Sequence, residues 1–372
     1  MNKRIRTQVE KLLAGTDVAI NGNRPWDPQI HDPRFYSRVL SAGSLGLGES
    51  YMDGWWDCAQ LDEFTARILR QDIRSRLRPN LALIAGVVQT RLLNRQNTRR
   101  AFHIGEAHYD IGNDLYQYML DKRLTYTCGY WKDATTLDEA QEAKLDLVCR
   151  KIGLKHGERV LDIGCGWGSF AKFAAEKYGA HVVGITVSKE QIKLGRELCQ
   201  GLPIELRLQD YREINEPFDH IVSLGMIEHV GYKNYRAYFK VVKRCLKDDG
   251  LFLLHTIGGN LSATGNDPWI EKHIFPNSML PSIKQLTSAA EGLFVMEDWH
   301  NFGPDYDRTL LAWHDNFEAH WAGLKQRYTE RFHRMWRYYL LICAGTFRSR
   351  SNQLWQIVYS KNGTTGRYHA AR

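Results

Sequence analysis

The sequence predicts an α/β fold built on a doubly wound, mainly parallel sheet. The first observation is that short apolar runs alternate with helix-like patterns between residues 137 and 257. Runs that alternate in this way form βαβ units, whose strands lie parallel. The second is a glycine-rich turn directly after the apolar run at 159–164. The third is a late pair of apolar runs, 294–299 and 354–359, which completes a mixed sheet of seven strands.

The individual elements follow from local patterns. Residues 137–152 repeat apolar side chains at helical spacing, and a long helical region is expected at 309–343. The stretch 258–281 is rich in Gly, Asn and Pro, which predicts a loop or lid over the carboxyl edge of the sheet. The remaining strands are predicted at 181–186, 204–209, 220–224 and 251–257.

The chain has 372 residues, enough for one large domain and one smaller one. We expect a mainly helical N-terminal domain over residues 1–100, in which the glycines and tryptophans of 43–57 form tight turns with packed aromatic faces. Residues 101–125 are expected to be a linker and the start of the larger domain. That domain then covers 126–372, with the lid insertion at about 258–285.

Positive charge is concentrated in one segment. Residues 70–100 contain eight arginines and one aspartate, and such a patch attracts polyanions, either nucleic acid or an anionic membrane surface. Within it, residues 81–93 show the spacing of an amphipathic helix. RNA-binding proteins interleave aromatics and glycines with the basic residues, and that pattern is missing here, so a membrane surface is favoured. A solvated helical face or simple helix packing are the alternatives.

Targeting and cysteine patterns indicate a cytoplasmic protein that associates with membranes only at their surface. The N-terminus has no apolar run of the kind that signal peptides carry, and the most apolar stretch, 81–88, is too short to span a bilayer. The seven cysteines show no CxxC spacing, which argues against a disulfide framework and against a metal site.

The glycine-rich turn reads Asp-Ile-Gly-Cys-Gly-Trp-Gly over 162–168. Such a turn lets the backbone approach a cofactor, but dinucleotide-binding folds use a related one. Three features favour S-adenosylmethionine (SAM). The glycine spacing is G-x-G-x-G, Asp162 precedes the first glycine where it can hold a methionine ammonium, and Gln209 and Asp210 end the third strand beside an adenine edge. We therefore predict the Rossmann-like, seven-stranded fold of SAM methyltransferases.

The end of the second strand lacks the acid that usually binds the ribose hydroxyls. Thr186, with Gln191 one turn further on, is expected to take that role. Thr186 is also a candidate helix N-cap, and Ser188 competes for that position, with Gln191 at N3 forming a capping box. The two interpretations are compatible.

An ordered set of motifs runs along nearly the whole chain. It comprises the glycine-rich segment at 43–57, Tyr-Thr-Cys-Gly-Tyr-Trp at 126–131, the glycine turn, Gly-Met-Ile-Glu-His-Val-Gly at 225–231, His-Thr-Ile-Gly at 255–258 and Cys-Ala-Gly at 343–345. Together they resemble the cyclopropane-fatty-acyl-phospholipid synthases. The helical N-terminal segment makes the chain similar to the bacterial, phospholipid-acting branch of that family.

The resemblance implies a reaction on unsaturated acyl chains of membrane phospholipids. The alkene attacks the sulfonium methyl group of SAM, a carbocation forms, and a base removes a proton so that a cyclopropane ring closes. The family holds a bicarbonate ion as this base, and a homodimer is also implied. By match to the family motif, the bicarbonate is held by Cys128, Glu228, His255, the backbone of Ile257, and Tyr306. The cofactor-binding residues are Tyr126, Thr127, Asp162, Gly164, Cys165, Gly166, Thr186, Gln191, Gln209 and Asp210.

Each predicted catalytic residue also has a structural interpretation. Cys128 can be a small buried hydrophobe, and His255 a core histidine. Tyr306, between two aspartates, can be a surface residue in a loop. Cys343 is the family's candidate essential thiol, but its sequence predicts an inward-facing helical position, and cyclopropanation needs no thiol nucleophile.

Two other functions stay open. A SAM-dependent C-methyltransferase that makes a methyl-branched or methylene lipid has the same core motifs. A non-enzymatic, peripheral lipid-binding protein is the contrasting class, and it has no need of the glycine turn. A nucleic-acid methyltransferase is disfavoured, because residues 225–228 stand where the N/D-P-P-Y/F motif would follow the fourth strand.

Overall fold

The structure, a computed structural model, describes residues 3–71 and 112–372. The predicted amphipathic helix at 81–93 and the arginines between 74 and 100 lie outside the described residues. Within the described part of the chain, no helix is long and apolar enough to cross a membrane.

Helices and strands alternate through the middle of the chain as predicted. The helices are α1 (Lys3–Leu12), α2 (Arg34–Met52), α3 (Leu61–Leu69), α4 (Asn113–Met119), α5 (Leu137–Lys151), α6 (Ser169–Tyr178), α7 (Lys189–Leu198), α8 (Tyr235–Cys245), α9 (Pro268–His273), α10 (Ile283–Ala290), α11 (Pro304–Leu324) and α12 (Glu330–Arg348). Short 3-10 helices lie at Tyr211–Glu213, Ile227–His229 and Tyr232–Asn234.

A small two-stranded sheet pairs β1 (Gln29–Ile30) with β2 (Trp56–Asp57). The large sheet has seven strands in the order β5-β4-β3-β6-β7-β9-β8, which confirms the predicted α/β fold. The pairs from β5 through to β7 are parallel, and β8 and β9 form an antiparallel pair. The strands are β3 (Arg159–Ile163), β4 (His181–Thr186), β5 (Ile204–Leu208), β6 (Phe218–Leu224), β7 (Leu246–Gly259), β8 (Val295–Asn301) and β9 (Asn352–Ser360).

Successive residues of β3 enter different hydrophobic clusters, because side chains alternate between the faces of a sheet. Val160 packs in the cluster that holds Phe170, whereas Leu161 packs in the cluster that holds Phe252 and Trp355. Burial of one such side chain contributes about 1.5–3 kcal/mol. Both faces of the central strands are therefore covered, and the carboxyl edge of the sheet is where polar side chains gather.

Contacts divide the chain into two compact units that interleave along the sequence. One unit combines the described N-terminal residues up to 71 with Gly265–Pro276 and Tyr306–Asn352. The other contains the seven-stranded sheet, and its described residues are 112–264, Asn277–Asp305 and Gln353–Arg372. Each predicted domain was a continuous stretch of the sequence. In the structure, the C-terminal helices α11 and α12 belong to the same unit as the N-terminal segment.

Aromatic side chains fill the interior of the first unit. Tyr338 of α12 packs on Tyr51 with ring centroids 5.3 Å apart and on Trp269 at 4.7 Å. Gly48 lies against Trp269, since a Cβ there would come within 2.3 Å of the indole. The expectation of tight turns is wrong for Gly46 and Gly48, which lie inside α2, where close packing rather than a turn requires glycine.

Two predicted segments differ in detail. The long helical region divides into α11 and α12, and Thr329 caps the second helix by accepting the backbone N–H of Phe332. The predicted lid region contains α9, and Gly259 pairs with Ser282 at the end of β7. The two ends of this region, residues 258–264 and 277–285, belong to the unit that contains the seven-stranded sheet.

Candidate active site

The glycine turn joins β3 to α6 at the centre of the sheet. Gly164, Gly166 and Gly168 all have positive φ, at 84°, 57° and 85°, which glycine adopts without steric cost. The backbone N–H groups of Gly164 and Cys165 donate to the carbonyl of Ile185 on β4, at 2.9 and 3.0 Å. The turn is thus fixed to the neighbouring strand, and the N-terminus of α6 faces the same edge.

A cavity opens at this edge. Its lining includes all ten residues that the sequence predicts to bind the cofactor, and their ligand contacts remain predictions. The other lining residues that matter below are Lys144, Arg212, Met226 and His229.

Asp162 supplies a buried carboxylate to this cavity. Burial raises the pKa of Asp162 to about 7, and the positive charge of Lys144 acts in the opposite direction. A carboxyl group held in such a place favours the arrival of a cation, since a positive partner would restore its ordinary acidity. This agrees with the predicted role of binding an ammonium group.

Thr186 and Gln191 are joined by a hydrogen bond. The Thr186 hydroxyl donates to Gln191 Oε1 at 2.8 Å and accepts the backbone N–H of Ser188 at 3.2 Å. Ser188 is the N-cap of α7, accepting the N–H of Gln191 at 3.3 Å. The capping box is therefore incomplete, because the Gln191 side chain turns to Thr186 and the two form one polar group at the cavity wall.

Asp210 is held by its own neighbour. Its carboxylate accepts the backbone N–H of Arg212 at 2.9 Å and the guanidinium of the same residue at 2.8 Å. The backbone N–H of Gln209 donates to the carbonyl of Thr186 at 3.0 Å. The ends of β4 and β5 are thereby tied together, so the predicted ribose and adenine residues form one continuous wall.

A second polar cluster lies at the ends of β6 and β7. Glu228 follows β6 in the short helix Ile227–His229, and its Oε1 accepts the backbone N–H of Ile257 at 2.8 Å. Its Oε2 is buried and has no hydrogen-bond partner within the described residues. Burial raises the pKa of Glu228 to about 7.

His255 lies on β7, in register with Leu224 of β6, and is 1% exposed. Burial, and then the positive charges of Lys144 and Lys151, hold its pKa well below the ordinary value, so the ring is neutral. Its Nδ1 lies 3.3 Å from the side-chain nitrogen of Gln356 on β9. Because that amide nitrogen is a donor, Nδ1 is the acceptor and Nε2 carries the proton. Nε2 is buried and unpartnered among the described residues.

Cys128 is fully buried, and its thiol lies 3.1 Å from the carbonyl oxygen of Gly129. Burial agrees with both the structural and the catalytic interpretation. None of Cys128, Glu228, His255 and Ile257 lines the cofactor cavity. Among these four, the hydrogen bond between Glu228 and the backbone of Ile257 is the direct contact that the structure shows.

The last two predicted catalytic residues belong to the first unit. Tyr306 lies in the first turn of α11, and it is buried and stacked on Phe347 with centroids 4.6 Å apart. The alternative interpretation of Tyr306 as a surface loop residue is therefore wrong, because the residue is buried within α11. Cys343 lies in α12, half-buried, and burial raises the pKa of its thiol to about 12.

Sequence reasoning missed several polar residues of these sites, and three of them matter most. These three are Lys144 and His229 at the cavity, and Gln356 beside His255. His229 follows Glu228 directly, and burial lowers its pKa to about 4. The signal for Lys144 was available, because helical spacing places it on the apolar face of α5.

A parallel sheet that presents this glycine turn and this cavity at its carboxyl edge defines a SAM-dependent methyltransferase. Within that class, the chain belongs to the mycolic acid cyclopropane synthetase family, whose model matches residues 96–357. The resemblance read from the motifs is thereby confirmed.

Three comparisons describe the relationship. The cyclopropane-fatty-acyl-phospholipid synthase of Escherichia coli (strain K12) is 52% identical over 356 residues, covering 96% of this chain and 93% of the relative. The tuberculostearic acid methyltransferase UfaA1 of Mycobacterium tuberculosis is 31% identical over 381 residues, covering 95% and 88%. The crystal structure of the mycolic acid cyclopropane synthase CmaA1 complexed with SAH and CTAB has a TM-score of 0.65 at 34% identity, covering 70% of this chain and 98% of that one.

Proposed function

We propose that this enzyme transfers a methylene group from SAM to the cis double bond of unsaturated acyl chains in membrane phospholipids and forms a cyclopropane ring. Bound bicarbonate is the proposed general base. The observation that carries the proposal is the buried cluster of Glu228 and His255 at the ends of adjacent strands, next to the cofactor cavity. The identity of 52% to the Escherichia coli synthase supports the same substrate class.

The cluster fits a small anion that can also donate a proton. Leaving a buried polar atom unpaired costs about 1–3 kcal/mol, so Glu228 Oε2 and His255 Nε2 are atoms that favour a ligand. His255 Nε2–H donates to an anionic oxygen, while Glu228 Oε2 accepts a hydroxyl. The N–H of Ile257 is already donated to Glu228, so that residue's part is to orient the carboxyl group.

The reaction needs a base beside a carbocation in an apolar tunnel. SAM supplies the methyl group, and bicarbonate in this cluster would supply the base. A permanently charged side chain would be costly to desolvate there. Glu228, with a pKa of about 7, holds or releases a proton at physiological pH, whereas neutral His255 adds no second positive charge. Ring closure would release its proton to the bound base, and Glu228 in its ionised form could then accept that proton, while His255 remains neutral. The contribution of Tyr306 remains a prediction from the resemblance.

Turnover of SAM on vesicles of unsaturated phospholipid tests this function. The acyl chains are then analysed by gas chromatography and mass spectrometry, in buffer freed of carbon dioxide and in buffer with bicarbonate. We expect a cyclopropane product whose rate rises when bicarbonate is added. Turnover without any cyclopropane product would exclude the proposed reaction, and a rate indifferent to bicarbonate would exclude only the proposed base.

A lipid C-methyltransferase is the second candidate, and the 31% identity to a tuberculostearic acid methyltransferase favours it. A cyclopropane and a methylene branch have the same mass, so mass alone does not separate them. Proton NMR of the purified acyl chains does, because ring protons and alkene protons resonate far apart. Alkene protons at the branch would replace the first proposal by the second.

Docking on an anionic membrane surface and assembly as a homodimer belong to the same proposal. The first is supported by the arginines of residues 70–100 and the second by the resemblance.

A further inference from the structure

Helix α5 buries three long polar side chains, Gln141, Lys144 and Lys151, and the first two contact the same residue, Thr127. Gln141 and Lys144 are both 0% exposed, and they lie one turn apart among apolar residues of the same helix. A lysine is almost never fully buried unless it has a partner. Lys144 also lines the cofactor cavity.

Both side chains hold the loop before the helix. Gln141 Nε2 donates to the carbonyl of Thr127 at 2.7 Å, and Lys144 Nζ donates to the Thr127 hydroxyl oxygen at 2.8 Å. An ammonium has donors only, so the Thr127 oxygen is the acceptor in this bond. The hydroxyl proton of Thr127 is left to donate elsewhere, and Thr127 itself lines the cavity.

The titratable groups that act on Lys144 are two carboxyl groups and a thiol, and Lys144 in turn acts on one imidazole. Asp121 and Asp162 are its carboxylate neighbours, and Cys128 and His255 are the other titratable groups near it. Asp121 is already occupied, since it accepts the backbone N–H groups of Thr125 at 2.8 Å and Arg123 at 3.0 Å. Burial lowers the pKa of Lys144 to about 8, which leaves it mainly protonated at neutral pH. A buried ammonium gains from a second charged hydrogen-bonding partner.

We propose that Lys144 is a positioning residue for the amino-acid end of the cofactor. It orients the Thr127 hydroxyl as a donor toward the methionine carboxylate and supplies the positive charge that this carboxylate meets. Asp162 faces the ammonium of the same group, so the two side chains match a zwitterion. The inference rests on SAM as the cofactor, and it goes beyond the assignment of the reaction.

Two ligands distinguish this role from a structural one. S-adenosylhomocysteine carries the amino-acid end, whereas 5′-methylthioadenosine has the same nucleoside without it. In Lys144→Met we expect the affinity for S-adenosylhomocysteine to fall by about tenfold or more, because a charge-assisted contact is lost. The affinity for 5′-methylthioadenosine should stay within about twofold, and Lys144→Arg should restore part of the loss. Calorimetry of the full chain measures all of these.

Lys151→Met is the matched control. Lys151 is also a buried lysine of α5, but it contacts Asp298 at 3.4 Å and His300 at 3.1 Å, away from the cavity. Its replacement should lower the melting temperature and leave both affinities unchanged. If Lys144→Met does not fold, Thr127→Val removes the oriented hydroxyl and should show the same selective loss.

An equal loss of both ligands in the Lys144 or Thr127 variant would overturn the proposal, since it would mean that the loop has only lost its shape. Unchanged affinities in a folded Lys144→Met would overturn it as well. These binding measurements need no lipid, so failure of the proposed cyclopropanation leaves them interpretable. Failure of the parent enzyme to bind S-adenosylhomocysteine would remove the basis of the inference.

Discussion

Glu228 Oε1 accepts the backbone N–H of Ile257 at 2.8 Å, which joins the short helix that follows β6 to the last residues of β7. The bond fixes the carboxyl group so that Oε2 remains buried without a partner among the described residues. Burial also raises the pKa of Glu228 to about 7. The bond therefore gives this acid a defined direction, and burial gives it a proton that it can exchange at physiological pH.

Replacing Glu228 by Gln should separate catalysis from cofactor binding. The Gln amide oxygen can still accept the N–H of Ile257, but the side chain can no longer hold a transferable proton. We expect turnover on unsaturated vesicles to fall by about 100-fold or more, in the range of general acid–base contributions. The affinity for S-adenosylhomocysteine should be unchanged, because Glu228 does not line the cavity. A variant that keeps half of the parent turnover would contradict this role.

The same substitution should change how stability depends on pH. The pKa of Glu228 rises from 4.5 to about 7 on folding, so the folded state binds the proton more tightly. The free energy of unfolding therefore decreases as pH rises through this window, and the loss is complete above pH 7. Glu228→Gln lacks this titrating carboxyl group. Its free energy of unfolding should therefore decrease by on the order of 3 kcal/mol less than that of the parent protein over the same pH range.

Urea unfolding of the parent and Glu228→Gln at pH 5 and pH 8 measures this difference. The parent should lose more stability than the variant between the two values. Asp162 contributes in the same direction, since its pKa rises from 3.8 to about 7, and it is present in both proteins. Equal losses in the two proteins would show that Glu228 is not a buried acid of this kind.

Replacing Gly164 by Ala tests whether cofactor binding needs the shape of the glycine turn. A Cβ at Gly164 would meet Met226 Cβ at 2.8 Å, whereas a Cβ at Gly157 would meet nothing within 4 Å. Both glycines have positive φ, so backbone strain should lower the stability of each Ala variant by about 1–2 kcal/mol. Only Gly164→Ala should also weaken S-adenosylhomocysteine binding by about tenfold or more, as measured by calorimetry. Similar affinities for the two variants would mean that the turn adapts to a side chain.

The residues predicted around the glycine turn could be placed together from the sequence because they stand at or just after strand ends, whereas Tyr126 and Thr127 were predicted from the resemblance alone. Parallel strands bring those ends to one edge, so the motifs at Asp162, Thr186 and Gln209 had to meet there. Lys144 and Gln356 come from the interiors of α5 and β9. Helical spacing places Lys144 on an apolar face, but it does not say which residue the lysine contacts. Only the tertiary contacts with Thr127 and His255 give them a role.

The grouping of α11 and α12 with the N-terminal helices was harder to predict for a different reason. Helical spacing tells which face of α12 is apolar, but an apolar face has no directional preference among partners. Packing of Tyr338 on Tyr51, nearly three hundred residues earlier in the chain, is a contact that no sequence window contains. The stacking of Tyr306 on Phe347 is likewise a contact between residues far apart in the chain.

Cys343 should be dispensable for catalysis. Burial raises the pKa of its thiol to about 12, so at neutral pH it is protonated and a poor nucleophile. We expect Cys343→Ser to keep turnover within about twofold, because the hydroxyl replaces the thiol with little change of volume. Its stability should decrease modestly, and thermal unfolding reports that part. A loss of turnover without a loss of stability would show that the thiol takes part in the reaction.

The basic segment should govern membrane binding through charge. An arginine near an anionic surface contributes about 1 kcal/mol, so the double variant Arg95→Gln/Arg99→Gln should bind phosphatidylglycerol-containing vesicles at least about tenfold more weakly. Lys189→Gln/Lys193→Gln removes the same charge from exposed positions of α7 and is the matched control, expected to change binding by less than about threefold. Sedimentation with vesicles measures both at low and high salt. Binding of the parent should weaken as salt screens the surface, and the difference between the two double variants should shrink with it. Vesicle binding that does not change with salt would contradict this prediction. Equal losses of vesicle affinity in the two double variants would also show that the arginine segment has no specific role in docking.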